Sequence, residues 1–142
     1  MAGFGMTFMK SVNEAVFRGG TLPTLTTLYF SLHTASPGAD GQTANEVTGG
    51  SYARVAVTSN TTNWGAATTA DPSVIANATA ITFPTATASW GTVTHFGIWN
   101  NTSATAAANF VAATALTASQ AIANTNTASF AVGAVTHSLD SV

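Results

Sequence analysis

Imidazole is the side chain in this sequence best suited to chemistry, because it binds metals and exchanges protons near neutral pH. Three histidines are present, and all of them lie in segments that we predict to be β-strands. Their spacings match no compact ligand motif such as HExxH. We therefore interpret His33, His95 and His137 as strand residues that hydrogen-bond to neighbours or line a subunit contact, and we predict no metal site.

The carboxylates and serines offer no better catalytic set. Glu46 and Asp71 could in principle form the carboxylate pair of a glycoside hydrolase, but they lie in different predicted loops without supporting cations. Serine is plentiful, yet no G-x-S-x-G turn is present to expose one as a nucleophile. The glycine pairs at 19–20 and 49–50 lack the context of a phosphate-binding loop. We predict that the chain is not an enzyme and binds no cofactor.

Ionisable side chains are unusually scarce. Only 6% of the 142 residues are charged, with three Lys or Arg against five Asp or Glu, whereas an ordinary globular domain has about 25%. Thr, Asn, Ser and Ala supply most of the remaining surface. Because so few charges give little electrostatic protection against association, we expect much of the surface to be buried against copies of the chain or a larger assembly.

The same composition excludes several classes of partner. Three cations cannot form the basic patch that nucleic acid requires, so we predict no DNA or RNA binding. No run of about 18 apolar residues is present for a membrane span, and the N-terminus lacks the basic region of a signal peptide. The absence of cysteine excludes disulfides and thiolate metal sites. We expect assembly in a cytoplasm.

One helix is predicted, over residues 5–18. Phe4, Phe8, Val12 and Val16 recur at four-residue spacing, and Gly19 begins a glycine pair that would end the helix. We divide the chain into an N-terminal helical arm at 1–20 and a single sandwich domain at 21–142. Two interpretations of the helix stay open: it covers an open end of the sandwich, or it reaches a neighbouring subunit.

The remaining elements are strands, organised around residues 90–100 with the sequence WGTVTHFGIWN. Strict alternation along this segment places Val93 and Trp99 on one face. It places Phe96 and Ile98 on the other, a pattern typical of a strand covered on both sides. Further strands are predicted at 27–33, 52–59, 74–83, 109–116 and 128–139, the last interrupted at Gly133.

Six or seven short strands without a βαβ rhythm predict an all-β fold, an antiparallel, jelly-roll-like β-sandwich with one short N-terminal α-helix. In the strand at 52–59 we place Val55 and Val57 inward and Arg54 outward. Residues 34–51 predict a long exposed loop of the kind that contacts partners. Trp64 stands alone in another loop, where it either fills the core or anchors a contact with another chain.

Four segments together are similar to a known family: TLYFSLHTASPGADG, NEVTGGSYARVAVT, ITFPTATASWGTVTHFGIWN and SFAVGAVTHSL. They resemble small virion proteins of tailed bacteriophages, often labelled tail fibre proteins. The resemblance covers residues 13–139 and is most specific at 83–98. It implies a structural protein of the phage particle, assembled in the host cytoplasm.

Two virion roles follow from this resemblance. We favour a capsid decoration, or cement, protein that binds the major capsid protein on the outer head surface as a homotrimer, because the chain has no heptads or fibrous repeat for a shaft. The alternative is a tail or tail-fibre component. A carbohydrate-binding receptor module is a further alternative, with Trp64, Trp90, Trp99, Tyr29 and Tyr52 as stacking residues, although we expect Trp90 and Trp99 to be buried. The residues we predict to contact a partner are Phe4, Phe8, Val12, Val16 and Trp64.

Overall fold

The computed structural model describes residues 3–140. Residues 1, 2, 141 and 142, the outermost parts of the predicted arm and domain, lie outside this range. Within it the chain forms one α-helix, one short 3₁₀ helix and nine strands. The helix is α1 (Met6–Arg18), the 3₁₀ helix is Ala107–Asn109, and the strands are β1 (Gly3–Phe4), β2 (Thr27–His33), β3 (Val55–Thr58), β4 (Ser73–Ala76), β5 (Ile81–Thr85), β6 (Gly91–Trp99), β7 (Phe110–Ile122), β8 (Thr127–Phe130) and β9 (Thr136–Leu139).

The larger layer is a five-stranded antiparallel sheet in the order β1-β7-β6-β2-β3. β6 lies at its centre, between β2 and β7, as the sequence predicts. Tyr29 pairs with Trp99 at one end of the β2–β6 ladder and His33 pairs with His95 at the other. Aromatic and β-branched residues fit such a doubly flanked position because they pack well on a pleated surface.

The second layer is a ribbon of two chain segments, 73–85 and 127–139. β4 pairs with β9 and β5 pairs with β8, both antiparallel, so the two pairs follow each other along the same segments. The strand predicted at 74–83 is therefore wrong as one element, because it divides at Asn77. The Asn77 side chain accepts a hydrogen bond from the backbone N–H of Val135 (2.9 Å) and donates one to the carbonyl of Ala131 (2.9 Å). Gly133 lies in the facing break with φ 76°, where the sequence predicts a bend.

Apolar side chains between the sheet and the ribbon form the main core. Phe30 on β2 and Phe96 on β6 stack with ring centroids 5.9 Å apart, and Phe96 meets Phe130 of β8 edge-on at 5.2 Å. Ile81 and Phe83 of β5 are buried in the same cluster. This packing confirms the predicted all-β antiparallel sandwich.

The opposite face of the sheet is also covered. Residues 34–51 fold over it, with Pro37 and Gly41 buried, while Val47 is buried in the main core, so the prediction of an exposed loop is wrong for these three positions. Gly41 has φ 69° and its Cα lies directly against the ring of Phe110, which leaves no space for a side chain. The loop therefore seals the second face of the sheet.

Strict alternation along β6 is broken. The β6–β7 register shifts between Val93 and His95, which places Val93 in the main core together with Phe96 and Ile98. Our assignment of Val93 to the face of Trp99 is therefore wrong, because an irregularity in the ladder adds a residue that changes which side the next residues face.

α1 lies where the periodicity predicts it. It begins after Gly5 and ends at Gly19, which adopts the left-handed conformation (φ 69°) of a helix C-cap. Just before it, Phe4 pairs with β7 as part of β1, and its ring lies 4.9 Å from that of Phe8. The helix is thus docked on the sheet at its start. Within residues 3–140, no helix has the length and apolar character that a membrane crossing requires.

Candidate functional site

Polar side chains converge on the loop-covered face of the sheet. We call this group the buried polar network, and its members are Ser31, His33, Glu46, Tyr52, Arg54 and Trp99. Ser31 and His33 share one face of β2 because they are two residues apart. Trp99 ends β6 beside them, and the other members come from the loop and from the chain just before β3.

An ion pair between Arg54 and Glu46 forms the centre of the network. Arg54 Nε donates to Glu46 Oε1 at 2.7 Å and Nη2 donates to Oε2 at 2.6 Å, a two-pronged contact. The side chains are only 4% and 10% exposed, respectively. Arg54 Nη1 also donates to the carbonyls of Asn101 (3.2 Å) and Ala104 (3.1 Å). Both charges are therefore removed from water and compensated inside the protein.

The outward orientation predicted for Arg54 is wrong. The β3 ladder begins only at Val55, so Arg54 precedes the strand and does not follow its alternation. Its guanidinium lies 4.0 Å from the ring centroid of Trp99, a cation–π contact. The indole face and the Glu46 carboxylate together make the interior more favourable than solvent for this cation.

A chain of hydrogen bonds continues from the indole. Trp99 Nε1 donates to Ser31 Oγ at 2.8 Å, and Ser31 Oγ lies 2.7 Å from His33 Nε2. The serine oxygen accepts the hydrogen bond from the indole N–H and shares a second hydrogen bond with His33 Nε2, in which the histidine tautomer determines the donor. Burial lowers the pKa of His33 to about 4, so this histidine is uncharged at neutral pH.

The contact between Ser31 and His33 has the atoms of a nucleophile and a base, but not the access. Both residues are 0% exposed, and the serine oxygen is already bonded to the indole of Trp99. A catalytic serine must reach a substrate carbonyl and be activated by its base at the same time. This arrangement instead fixes the positions of β2 and β6 relative to each other.

Tyr52 connects the loop to β2. Its hydroxyl donates to Glu46 Oε1 at 3.1 Å and accepts the backbone N–H of Leu32 at 2.9 Å. Burial, followed by the negative charge of Glu46, raises the pKa of the Tyr52 phenol, which stays protonated. Glu46 also forms an isolated β-bridge with His33. The network thereby attaches residues 34–51 to the sheet.

Glycine at position 97 is required by this packing. A Cβ there would lie 2.7 Å from Ser31 Oγ and 3.0 Å from His33 Nε2, which is closer than side-chain atoms approach one another. Gly97 therefore makes room for the hydrogen-bonded chain between the two strands.

The histidines lie on strands, and two of them hydrogen-bond to neighbours. His95 Nδ1 lies 2.8 Å from Thr94 Oγ1. His137 on β9 contacts the Phe4 ring at 4.3 Å between centroids, and burial lowers its pKa. Among residues 3–140, no group of three or more His, Cys, Asp or Glu side chains is close enough to hold a metal ion. Of the two carboxylates considered for hydrolysis, Glu46 is bound to Arg54, and Asp71 lies on an exposed loop.

The predicted contact residues fall into two environments. Phe4 and Phe8 pack against the edge of the core, Val12 is half-buried, and Val16 is 65% exposed. Trp64 stacks on Phe30 with centroids 6.2 Å apart, which agrees with the first of its two interpretations, a residue that fills the core. A role of these residues in binding a partner stays a prediction.

The aromatic residues considered for sugar stacking are buried or half-buried. Trp90 and Trp99 are buried as predicted (5% and 0% exposed), and the Trp90 indole donates to the carbonyl of Gly50 at 3.0 Å. Trp64, Tyr29 and Tyr52 are half-buried. Sugar stacking on the three half-buried rings stays a prediction.

Sequence reasoning missed the network as a unit, although a signal for it was present. Its members lie in three of the segments that carry the resemblance: Ser31 and His33 in the first, Glu46, Tyr52 and Arg54 in the second, and Trp99 in the third. An arginine next to strand-forming apolar residues can be exposed to solvent, or it can be buried with an acidic partner. Both orientations of Arg54 were therefore open from the sequence.

The fold and the network define a β-sandwich protein whose polar interior fixes its own loops and strands. Over residues 4–138 the chain matches the family described as Podophage GP4 fiber I protein gp80, and it belongs to that family. No curated protein matches it. The match supports the interpretation that the chain is a structural component of the virion of a tailed phage. It favours our tail-fibre alternative and gives no support to capsid decoration.

Proposed function

We propose that the chain is a structural component of a podophage tail fibre. The observation that carries this proposal is the family match, which spans residues 4–138 and has a fibre protein as its description. A chain matched over nearly its full length takes part in the fibre as a whole folded unit, and not through a short shared segment.

The proposed role is mechanical and not catalytic. Three features of the described residues support this: the ion pair of Arg54 and Glu46 is closed to solvent, the contact between Ser31 and His33 is fully buried, and burial keeps His33 neutral. These groups hold the loop and the central strands in fixed positions. A fibre unit transmits force between the particle and its target, and rigid positioning of buried strands suits that task.

Localisation on intact particles tests the fibre proposal. Antibodies raised against the folded chain would be bound to purified virions, detected with gold and imaged by electron microscopy, with antibodies against the major head protein as the control. We expect gold beside the tail, on fibres. Gold distributed over the head shell would overturn the proposal and return the decoration role. If purified virions do not contain the chain at all, every structural role in the particle is excluded.

The non-catalytic part has a separate test. Purified protein would be incubated with polysaccharide from the host surface, and newly formed reducing ends would be measured. We expect none above the level of a heat-denatured sample. Release that depends on the folded chain would contradict a purely mechanical role and direct attention to the carboxylates of Glu46 and Asp71.

A further inference from the structure

The two edges of the ribbon are unequally covered. The outer edge of β4 is paired by a loop: Gly65 N–H donates to the Ala76 carbonyl (2.9 Å), and Thr68 N–H donates to the Val74 carbonyl (2.9 Å). The Val74 N–H in turn donates to Thr68 Oγ1 at 2.8 Å. Within residues 3–140, no strand lies along the corresponding edge of β9, which pairs with β4 alone. We call this second edge the free edge of β9.

The register identifies which backbone groups the free edge presents. In an antiparallel ladder, residues alternate between pairs that exchange both hydrogen bonds and pairs that exchange none. Val74 faces Ser138, and its N–H and C=O are both bonded to Thr68 on the other side. Ser138 must therefore direct its own N–H and C=O away from β4. The alternation assigns the same outward direction to Thr136, two residues earlier.

A groove of about 670 Å³ lies beside this edge, between β7, β8 and β9. Its floor consists of core side chains, Leu32, Val93 and Phe96, and the backbone-presenting residues Thr136 and Ser138 line its rim. The groove thus reaches core side chains that are themselves buried, and it lies next to unpaired strand groups.

The groove presents outward main-chain groups of β9 beside several polar side chains. Thr127 and Ser129 of β8 also line it, but their hydroxyls are bonded to Thr85 (2.8 Å) and Thr82 (3.1 Å) of β5. The Gln120 amide and the hydroxyls of Thr114 and Thr117 line it as well. An extended polypeptide needs only the outward N–H and C=O groups, which continue the ladder.

We infer that the free edge of β9 binds an extended segment of a second copy of this chain. The absence of charge in the groove indicates which segment it can bind. None of the residues among 3–140 that line it is ionisable. A charged segment would therefore lose its hydration without gaining a partner of opposite charge. A chain with 6% charged residues satisfies that condition along most of its length. Val132 and Leu139 near the edge are 64% and 57% exposed, which adds apolar surface to the contact. This inference is independent of where on the particle the chain resides.

The first test removes one outward donor. Ser138→Pro deletes an N–H that points away from β4 and has no partner within residues 3–140, and proline is tolerated on an edge strand. Ser138→Ala, which keeps the N–H, is the matched control. We expect wild type and Ser138→Ala to associate with equal affinity in sedimentation velocity, and Ser138→Pro to associate roughly five- to tenfold more weakly, the effect of one lost hydrogen bond. Circular dichroism would verify that all three are folded.

Hydrogen–deuterium exchange on unmodified protein gives a second readout that no folding defect can affect. The amides of Thr136 and Ser138 should exchange rapidly in dilute protein and slowly in concentrated protein, whereas amides of the inward ladder stay protected in both. A wild-type chain that sediments as a monomer at its highest soluble concentration would overturn the inference. So would equal association of Ser138→Pro and Ser138→Ala, or rapid exchange at both positions in the associated form.

Discussion

Replacing Arg54 by alanine isolates the contribution of the buried polar network to stability. The substitution removes two hydrogen bonds to Glu46, two donors to backbone carbonyls and the cation above the Trp99 ring. Among residues 3–140, the Glu46 carboxylate then keeps only the Tyr52 hydroxyl as a partner, at a site where its side chain is 10% exposed. Breaking a buried pair in this way costs about 3–5 kcal/mol, and the remaining tyrosine bond favours the lower end of that range.

A matched control comes from α1. Lys10 pairs with Glu14 at 2.8 Å, a similar distance, but the two side chains are 69% and 37% exposed. Lys10→Ala should lower the free energy of unfolding by about 0.5 kcal/mol or less, because solvent screens an exposed pair. The two pairs differ in burial and in the number of contacts that the cation makes, and the measured difference in the free energy of unfolding should be at least about 2 kcal/mol.

Urea unfolding, followed by tryptophan fluorescence, would measure both values, and a chain of this length permits two-state treatment. For Arg54→Ala, the melting temperature should fall by roughly 10 °C. The double variant Arg54→Ala/Glu46→Ala should lose less than the sum of the two single variants, since removing both partners leaves no unpaired charge. The reasoning is refuted if Arg54→Ala is no more costly than Lys10→Ala, or if the two single effects simply add.

Three further predictions follow from the structure. Gly97→Ala should destabilise the fold by about 1–3 kcal/mol, because its Cβ would lie 2.7 Å from a side-chain oxygen, while Gly65→Ala, with 3.6 Å to its nearest atom, should be tolerated in the same urea assay. Burial lowers the pKa of His33 from 6.5 to about 4. The free energy of unfolding should therefore decrease as the pH falls from 6.5 towards 4, by at most about 1.4 kcal/mol per pH unit. His33→Asn should flatten this dependence of stability on pH. Phe8→Ala should lower the melting temperature because Phe8 packs on the core. Val16 is exposed, so Val16→Ser should change the free energy of unfolding by no more than about 0.5 kcal/mol. If α1 contacts a partner, Val16→Ser should reduce incorporation into virions, and unchanged incorporation would remove Val16 from the contact residues.

Elements with a strong local pattern were predictable from the sequence. The predicted strand at 27–33 coincides with β2 (Thr27–His33), because apolar and polar residues alternate there between turn-forming flanks. The helix and β6 agree to within about a residue at each end for the same reason. Period and flanking residues are local properties, and a single sequence contains them.

Features that depend on distant partners were not predictable. Asn77 divides the 74–83 strand by bonding to residues 54 and 58 positions later in the chain, and nothing within that segment indicates the break. Arg54 was assigned to solvent from the alternation of its neighbours, whereas its orientation is determined by Glu46 and by Trp99, 45 residues away. A buried ion pair needs both partners to be placed in three dimensions before either can be recognised.

The position of the few charges connects the interior of this protein to its exterior. Two of the eight charged side chains, Arg54 and Glu46, pair with each other in the buried polar network. Lys10 and Arg18 each bond to Glu14 along α1, and the other three charged residues of the sequence are aspartates. A buried pair adds little net stability compared with apolar packing, so its more specific effect here is to hold residues 34–51 on the sheet. The sandwich surface outside α1 therefore carries few charges, so another chain can cover it at little cost in ion desolvation, which is what the proposed fibre role would require.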